Sequence, residues 1–284
     1  MGEPPADPTL LEVLRRRFPE ASSRTLRQML ASDRVRVNGA PERVAKRAIL
    51  AADSVEVVGK RDRPLDPRVR ILFEDDALIV VNKAAGLLTV PSPVVLHETA
   101  ETFLNAYAGA RPGEARVHHV HRLDRDTSGV LVFAKSEYAR DRLQELFAEH
   151  DVERAYVAVV HGKPKPPAAT LRSFLAEDRE LRVQVVADAA HGKEAVTRYR
   201  VTASGRRFSL LEVTIETGRR HQVRVQLAAA GHPVVGDAMY AKGREDPLGR
   251  LALHARHLAF VHPRTRRRMA FAAEVPTEFG DLRL

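Results

Sequence analysis

The residues best suited to chemistry lie in one short stretch, residues 121–129, with the sequence His-Arg-Leu-Asp-Arg-Asp-Thr-Ser-Gly. It contains two carboxylates, Asp124 and Asp126, and two arginines directly before the apolar run 130–134. A short apolar run bounded by glycine and lysine predicts a buried strand, and the glycine of the stretch predicts a tight turn before it. Charges beside a buried strand are costly unless paired, so the stretch indicates either an active site or an ion-pair network.

A metal site is a second interpretation, because His118, His119 and His121 lie near these carboxylates. Imidazole and carboxylate ligands suit zinc, manganese or iron. Against this, adjacent histidines on an extended chain face opposite sides, and the neighbouring arginines would repel a cation. We therefore expect no metal. A carboxylate active site held by arginines and a purely structural ion-pair network both remain open.

Composition bounds the class of protein. A chain of 284 residues that is 44% hydrophobic can bury a substantial core, in one large domain or in a large and a small one. It has no cysteine, which excludes disulfides, thiolate metal sites and cysteine catalysis. No apolar run approaches the roughly 20 residues of a membrane span, and the first residues show no signal peptide. We expect a cytoplasmic monomer without a membrane segment.

The charge balance predicts the kind of partner. Forty-six basic and 37 acidic residues give a net charge of +9, and a basic protein favours a polyanion such as RNA or DNA. Between residues 24 and 47 the excess is concentrated, with seven basic residues and two acidic ones.

The first 60 residues predict a small domain of two helices and a small sheet. Thr9 and Glu12 form a capping-box pattern ahead of helically spaced leucines. A second helix begins at Ser22 or Ser23, and the alternating strand 34–39 ends in Asn-Gly, a strong hairpin signal. A further strand follows at residues 54–58.

This segment, residues 9–60, resembles the RNA-binding S4 domain, and Ser23-Arg24 and residues 35–39 carry the resemblance. It implies RNA contacts by four arginines: Arg24, Arg27, Arg34 and Arg36. A small structural domain with a solvated charged face is the alternative. Residues 61–68, charged and punctuated by proline, predict a linker to a domain over residues 69–284.

The remainder predicts an α+β domain with a mainly antiparallel sheet, because strands follow one another with few helices between them. The predicted strands are 71–76, 78–83, 130–134, 154–160, 181–186, 196–201, 208–215, 251–261 and 269–273. Helices are predicted at 99–107, 136–150 and 219–230. In the last helix Arg220 and Arg224 are four residues apart and should share a face.

Four blocks, in order over residues 70–275, resemble the RluA-type pseudouridine synthases. Residues 121–129 are similar to the family pattern H-R-L-D-x-x-T-S-G, and residues 81–87 to N-K-P-x-G-L with alanine in place of proline. Residues 153–158 are similar to K-x-Y-x-A. Residues 217–237 contain T-G-R-x-H-Q-x-R, G-H-P and G-D, with Gln226 where the family often has histidine.

The resemblance implies the isomerisation of uridine to pseudouridine in RNA, without metal or cofactor. Large-subunit ribosomal RNA is the favoured substrate and transfer RNA the alternative; a non-catalytic RNA-binding or ribosome-assembly factor is a rival of another class. By position, Asp124 is the essential carboxylate, Arg224 pairs with it and keeps it charged, and Tyr156 packs on the base or removes its C5 proton. The implied RNA contacts near the site are Arg122, Arg219 and Arg220. Asp126 falls on a variable position and receives no role.

Overall fold

The computed structural model describes residues 7–31, 34–57, 65–109, 116–178, 180 and 182–282. The chain forms two compact units, and the larger one begins at Leu65. The helices are α1 (Leu10–Arg17), α2 (Ser23–Ala31), α3 (Ala100–Tyr107), α4 (Glu137–Ala148), α5 (Gln222–Ala229) and α6 (Glu278–Asp281). The strands are β1 (Val35–Val37), β2 (Ala40–Pro41), β3 (Val55–Val57), β4 (Val69–Glu74), β5 (Leu78–Lys83), β6 (His118–His119), β7 (Ser128–Ala134), β8 (Glu153–His161), β9 (Ala168–Glu177), β10 (Val183–Val186), β11 (Lys193–Ser204), β12 (Phe208–Ile215), β13 (Leu253–Val261) and β14 (Arg268–Ala272).

The smaller unit packs α1 and α2 against a three-stranded antiparallel sheet with the order β2-β1-β3. The predicted capping box is confirmed: the Thr9 backbone N–H donates to Glu12 Oε2 at 2.8 Å, and Thr9 Oγ1 accepts from the Glu12 N–H. Asn38 and Gly39 both have positive φ, 54° and 79°, as the turn of a two-residue hairpin requires. Residues 58–64 lie outside the described residues. They include the last residue of the predicted strand 54–58, the predicted end of the first domain at residue 60 and the start of the predicted linker.

The larger unit is built on one sheet of eleven of the described strands. Its order is β10-β9-β11-β12-β8-β13-β7-β5-β4, with β14 beside β13 and β6 beside β7. The pairs are antiparallel apart from β7 and β13, which run parallel. The prediction of an α+β fold with a mainly antiparallel sheet is confirmed.

The two-residue strand β6 and the ten-residue strand β9 were not predicted from the sequence. β9, Ala168–Glu177, pairs with β10 on one side and β11 on the other. Most of its side chains are half-buried or exposed and only Leu175 is fully buried, so its apolar pattern is weak. Its sequence, with paired apolar residues at both ends, lacks the strict alternation of apolar and polar residues by which a half-buried strand is recognised.

The parallel pair brings the start of β7 against the middle of the sheet. Ser128 lies opposite His254 and Gly129 opposite Ala255. The Ser128 hydroxyl accepts from Arg250 Nη2 at 2.8 Å and lies 2.8 Å from His254 Nδ1. Burial lowers the pKa of His254 to about 4, so its ring is neutral near pH 7.

Gly129 makes this pairing possible, although not as the turn residue that the sequence predicts. It lies within β7 with a φ of 121°, and a Cβ at this position would sit 2.1 Å from the Ala255 carbonyl oxygen. Any side chain would therefore force β7 and β13 apart directly beneath the carboxylate stretch.

Gly129→Ala should lower the free energy of unfolding by roughly 3 kcal/mol, because backbone strain adds to a backbone clash. Urea unfolding followed by circular dichroism measures it. The matched control is Gly243→Ala, where φ is 74° but nothing lies within 4 Å of an added Cβ. The control should lose only about 1 kcal/mol. Equal losses in both variants would show that the close approach to Ala255 carries no energy.

Candidate active site

A cleft of about 500 Å³ opens in the larger unit, within the size range of small-molecule sites. Its walls come from the loop before β7, the start of β8, and the loop and first turn of α5. Asp124, Tyr156 and Arg224 all line it. The three residues for which a catalytic role is predicted therefore meet at one cavity, although up to a hundred positions separate them in the sequence.

Arg224 is the central connection in the cleft. Its Nη1 donates to Asp124 Oδ2 at 3.0 Å, while Nε and Nη2 donate to the two oxygens of Asp237 at 2.7 and 2.9 Å. Its side chain is 10% exposed, and the side chain of Asp237 is fully buried. A two-pronged pair of this kind fixes the plane of the guanidinium, so Asp237 aims the remaining nitrogen at Asp124.

The charges explain why this buried cation persists. Burial disfavours its charge, but the hydrogen bonds and charge of Asp237, with a contribution from Asp124, raise the pKa of Arg224. Burial likewise opposes the charge of Asp237, but Arg224 and the backbone N–H groups of Met239 and Tyr240 lower the pKa of that carboxyl. Both partners are thus ionised near neutral pH.

The loop that carries Asp124 is held by buried polar groups from an earlier part of the chain. Lys83 is fully buried, and its Nζ donates to the carbonyls of Arg125, Ala84 and Leu87 at 3.0, 3.0 and 2.7 Å. The Thr89 hydroxyl donates to the Leu123 carbonyl at 2.9 Å and accepts its N–H. The residues around the N-K-A-A-G-L block therefore fix the backbone on both sides of the carboxylate.

The helix that carries Arg224 begins later than the sequence predicts. α5 starts at Gln222 rather than at residue 219, because His221 has a left-handed φ of 52°. The buried Gln222 amide oxygen accepts from the Thr217 hydroxyl and the Arg219 N–H, which folds residues 217–221 into a turn. Arg220 consequently lies outside the helix and does not share a face with Arg224.

Tyr156 presents a half-buried ring to the cleft, and its hydroxyl has no hydrogen-bond partner among the described residues. Burial raises the pKa of Tyr156 to about 12; the charge of Arg154 acts in the opposite direction, and that of Asp124 in the same direction. Near neutral pH the side chain is therefore a neutral phenol that offers a flat ring and a free hydroxyl.

The histidines do not converge on a metal position. His119 Nδ1 lies 2.8 Å from Glu101 Oε1, whereas His121 stacks on Phe147 with ring centroids 4.4 Å apart. Burial lowers the pKa of His121 to about 3, so this ring is neutral and its Nε2 accepts the Val132 N–H. In the described ranges no group of three His, Asp or Glu side chains is placed to hold one metal ion.

The arginines predicted to bind RNA differ in their surroundings. Arg122 and Arg219 are exposed at the cleft, and Arg219 Nε donates to the Glu194 carbonyl at 3.1 Å. Arg220 pairs with Glu177 at 2.5 Å and does not line the cleft. On the smaller unit Arg24 and Arg27 are exposed along α2, whereas Arg34 and Arg36 are half-buried. Asp126 is exposed and pairs with Arg125 at 3.3 Å.

Three residues at the site were not predicted: Asp237, His221 and Arg154. His221 Nε2 lies 4.0 Å from Asp124 Oδ2, and burial lowers the pKa of His221. All three stand inside the quoted blocks, Arg154 at the position of the lysine in K-x-Y-x-A, so the blocks themselves were the available signal. Arg154 lines the cleft beside Tyr156.

Comparison with known proteins identifies the class of this site. Residues 77–229 match the family described as RNA pseudouridylate synthase. A Zymomonas mobilis protein named ribosomal large subunit pseudouridine synthase D is 36% identical over 233 residues, 76% of this chain and 72% of that protein. The Bacillus subtilis protein named uncharacterized RNA pseudouridine synthase YhcT is 38% identical over 216 residues, 75% and 70% of the two chains.

A solved structure agrees. Human RNA pseudouridylate synthase domain containing 4 superposes with a TM-score of 0.61 at 26% identity, covering 74% of this chain and 90% of that one. The fold and the matches define an isomerase that acts on RNA. The chain belongs to the RNA pseudouridylate synthase family, of the RluA type, and is an RNA pseudouridine synthase. No helix of the described residues is long and apolar enough to cross a membrane.

Asp237→Asn should lower the free energy of unfolding at neutral pH by about 3 kcal/mol, because it leaves the buried Arg224 without its charged partner. The folded state depresses the pKa of Asp237, so its contribution is present above the unfolded pKa of about 3.9 and is lost as pH falls. The variant and the wild type should therefore converge in acid. Urea unfolding across a pH series measures this.

The control for this series is Asp151→Asn, which removes an exposed carboxylate just before β8. It should shift the unfolding free energy by less than about 0.5 kcal/mol. A constant difference between Asp237→Asn and the wild type at every pH would contradict the assignment of an ionised, depressed Asp237.

Proposed function

We propose that this enzyme converts uridines of large-subunit ribosomal RNA to pseudouridine, with Asp124 as the reacting carboxylate. The name of the Zymomonas mobilis relative supports the substrate class. The hydrogen bond from the doubly anchored Arg224 to Asp124, at the wall of a nucleotide-sized cleft, is the observation that carries the catalytic assignment.

The reaction is an isomerisation that balances without an oxidant or reductant. The N1–C1′ bond breaks, the uracil turns, and C5 forms a bond to C1′; C5 then loses its proton while N1 gains one. Asp124 acts at the sugar or the base, either by covalent attack or by removing a ribose proton. Both roles require a carboxylate that is ionised and shielded from bulk water.

Arg224 and Tyr156 support this step in different ways. Arg224, whose plane Asp237 fixes, stabilises the charge of Asp124 and restricts its oxygens to one orientation. Tyr156 packs its ring on the uracil. Its second role in the proposal, removal of the C5 proton, requires phenolate character, which the charge of Arg154 favours and burial opposes.

The RNA must deliver an unstacked uridine to the cleft, which costs a few kcal/mol. Arg122 is exposed at the cleft and makes no hydrogen bond or ion pair with a described residue, so it is free to hold the strand where the base has left. Arg219 contributes a second positive charge at the rim. The support for RNA binding by Arg220 is weaker, because Glu177 already pairs with its charge.

The smaller unit is proposed to bind flanking RNA as an S4-like domain over residues 9–60, joined through the linker 61–68 to the catalytic domain 69–284. Its exposed α2 arginines, Arg24 and Arg27, are the main contacts, with Arg34 and Arg36 beside them on the sheet side. We further propose that the enzyme is a monomer of the cytoplasm, where a chain without cysteine needs no oxidising compartment.

Asp124→Asn should leave folding intact and lower the rate of isomerisation by at least about a thousandfold. In a strain that lacks the gene, pseudouridine mapping should show a lost site in large-subunit ribosomal RNA. The wild type should restore that site, and so should Asp126→Asn, a control that removes the neighbouring exposed carboxylate. Restoration by Asp124→Asn would refute its catalytic role, and loss confined to transfer RNA would refute the substrate.

Arg24→Gln and Arg27→Gln should each weaken the binding of the mapped ribosomal RNA segment without changing the rate of the bound complex. Each phosphate contact that is lost should flatten the slope of log affinity against log salt by roughly 1. The control with the same change in charge is Arg16→Gln, at an exposed position of α1. Identical salt slopes in all four proteins would argue against RNA binding by α2.

A further inference from the structure

Arg154 is a buried cation that the reaction scheme above does not use directly. It lies at the start of β8 and lines the cleft, and only 9% of its surface is exposed. Its Nη2 donates to the Glu216 carbonyl at 2.8 Å, and its guanidinium carbon stands 5.6 Å from the centre of the Phe147 ring. These contacts fix the position of the guanidinium without neutralising its charge.

No carboxylate pairs with Arg154 among the residues that the structure describes. Glu153, its neighbour in the chain, pairs with Arg268, and Glu216, whose carbonyl it contacts, pairs with Arg198. Arg154 Nε is buried and has no hydrogen-bond partner in the described chain. Burial accordingly lowers the pKa of Arg154, and only Tyr156 opposes this shift.

Comparison with Arg224 shows that the lack of a carboxylate partner at Arg154 is unusual. As whole residues Arg224 is 8% exposed and has two carboxylates, whereas Arg154 is 9% exposed and has none. A buried charge without a counter-ion is unfavourable, so a structural role alone leaves its presence at a cleft unexplained. Unpaired buried cations that face a cavity are typical of sites completed by an anionic ligand.

The Arg154 guanidinium fits into the cleft wall because residue 218 is a glycine. Gly218 stands opposite Arg154, and a Cβ there would lie 2.6 Å from Arg154 Nη1. The absence of a side chain at Gly218 therefore lets Nη1 reach the cleft wall between β12 and α5. The N–H groups of Nη1 are the donors that remain for a ligand, since Nη2 is engaged by the Glu216 carbonyl and Nε is buried.

We propose that Arg154 binds a phosphate group of the RNA strand adjoining the nucleotide held in the cleft. This assignment rests on the proposal that the cleft receives the target uridine. A phosphate brings the negative charge that Arg154 lacks and several acceptor oxygens for its free donors. A uracil carbonyl would accept a hydrogen bond but leave the charge uncompensated, so the phosphate is the better partner.

The binding of uridine, uridine 5′-monophosphate and uridine 3′-monophosphate to the full-length protein tests the proposal by ligand-observed NMR titration. The wild type should bind at least one monophosphate about tenfold more tightly than uridine, the effect of one charge-assisted hydrogen bond. Arg154→Gln should remove this preference and leave uridine affinity unchanged. Arg200→Gln, which removes the same charge from an exposed pair outside the cleft, should keep the preference.

Arg154→Lys is a second variant that keeps the test valid if Arg154→Gln fails to fold. It retains the charge and should retain part of the preference for a monophosphate over uridine. The thermal midpoint of Arg154→Gln should equal or exceed that of the wild type, since an unpaired buried charge is removed. A lower midpoint in both variants would assign Arg154 a structural role and overturn the proposal. So would equal binding of uridine and both monophosphates by the wild type, or a preference that survives in Arg154→Gln.

These outcomes are separate from those of the catalytic proposal, because the nucleotides bind without reacting. Weaker binding of all three ligands by Arg154→Gln would indicate a contact to the base or ribose instead of phosphate, and would also overturn the proposal. Activity of Asp124→Asn on ribosomal RNA would refute the catalytic assignment while the phosphate preference still reports on Arg154.

Discussion

The site depends on one buried cation held between two carboxylates. Asp237 offsets the cost of enclosing the charge of Arg224, because it accepts hydrogen bonds from two of its nitrogens and is itself fully buried. The third nitrogen is then directed at Asp124. The cost of burying these charges is met inside the fold, before any RNA arrives, so the reacting carboxylate is oriented in advance. Helix α5, the turn at His221 and the Gly236-Asp237 segment all serve this geometry.

The loop of Asp124 is also fixed in advance, by hydrogen bonds to backbone and hydroxyl groups instead of by ion pairs. Lys83 donates hydrogen bonds to three carbonyls, and the Thr89 hydroxyl forms hydrogen bonds with both the N–H and the carbonyl of Leu123. The Ser128 hydroxyl forms hydrogen bonds with His254 and Arg250. These contacts hold the backbone and leave the Asp124 side chain free to face the cleft. A site whose supporting groups are all bonded places its reactive atoms more accurately than one that relies on packing alone.

Local chemistry made much of this predictable. The Thr9 capping box, the Asn38-Gly39 turn and the alternating strands can each be predicted from a few neighbouring residues. The pairing of Asp124 with Arg224 followed only from resemblance, since no local pattern links positions a hundred residues apart. β9 was missed because its sequence lacks strict alternation of apolar and polar residues, and the start of α5 because the Gln222 side chain bonds the preceding turn. Arg154 stood out only once its missing partner could be seen, which requires coordinates.

The single parallel pair of the sheet sets the order in which the protein can become active. Ser128 and His254 are 126 positions apart, and their contact supports the loop of Asp124 from below. During synthesis β7 and its antiparallel partner β5 can form early, but β13 is made near the end of the chain. Contacts of such long range form slowly. A chain that ends before β13 therefore carries the complete H-R-L-D stretch without the contact between Ser128 and His254 that supports it.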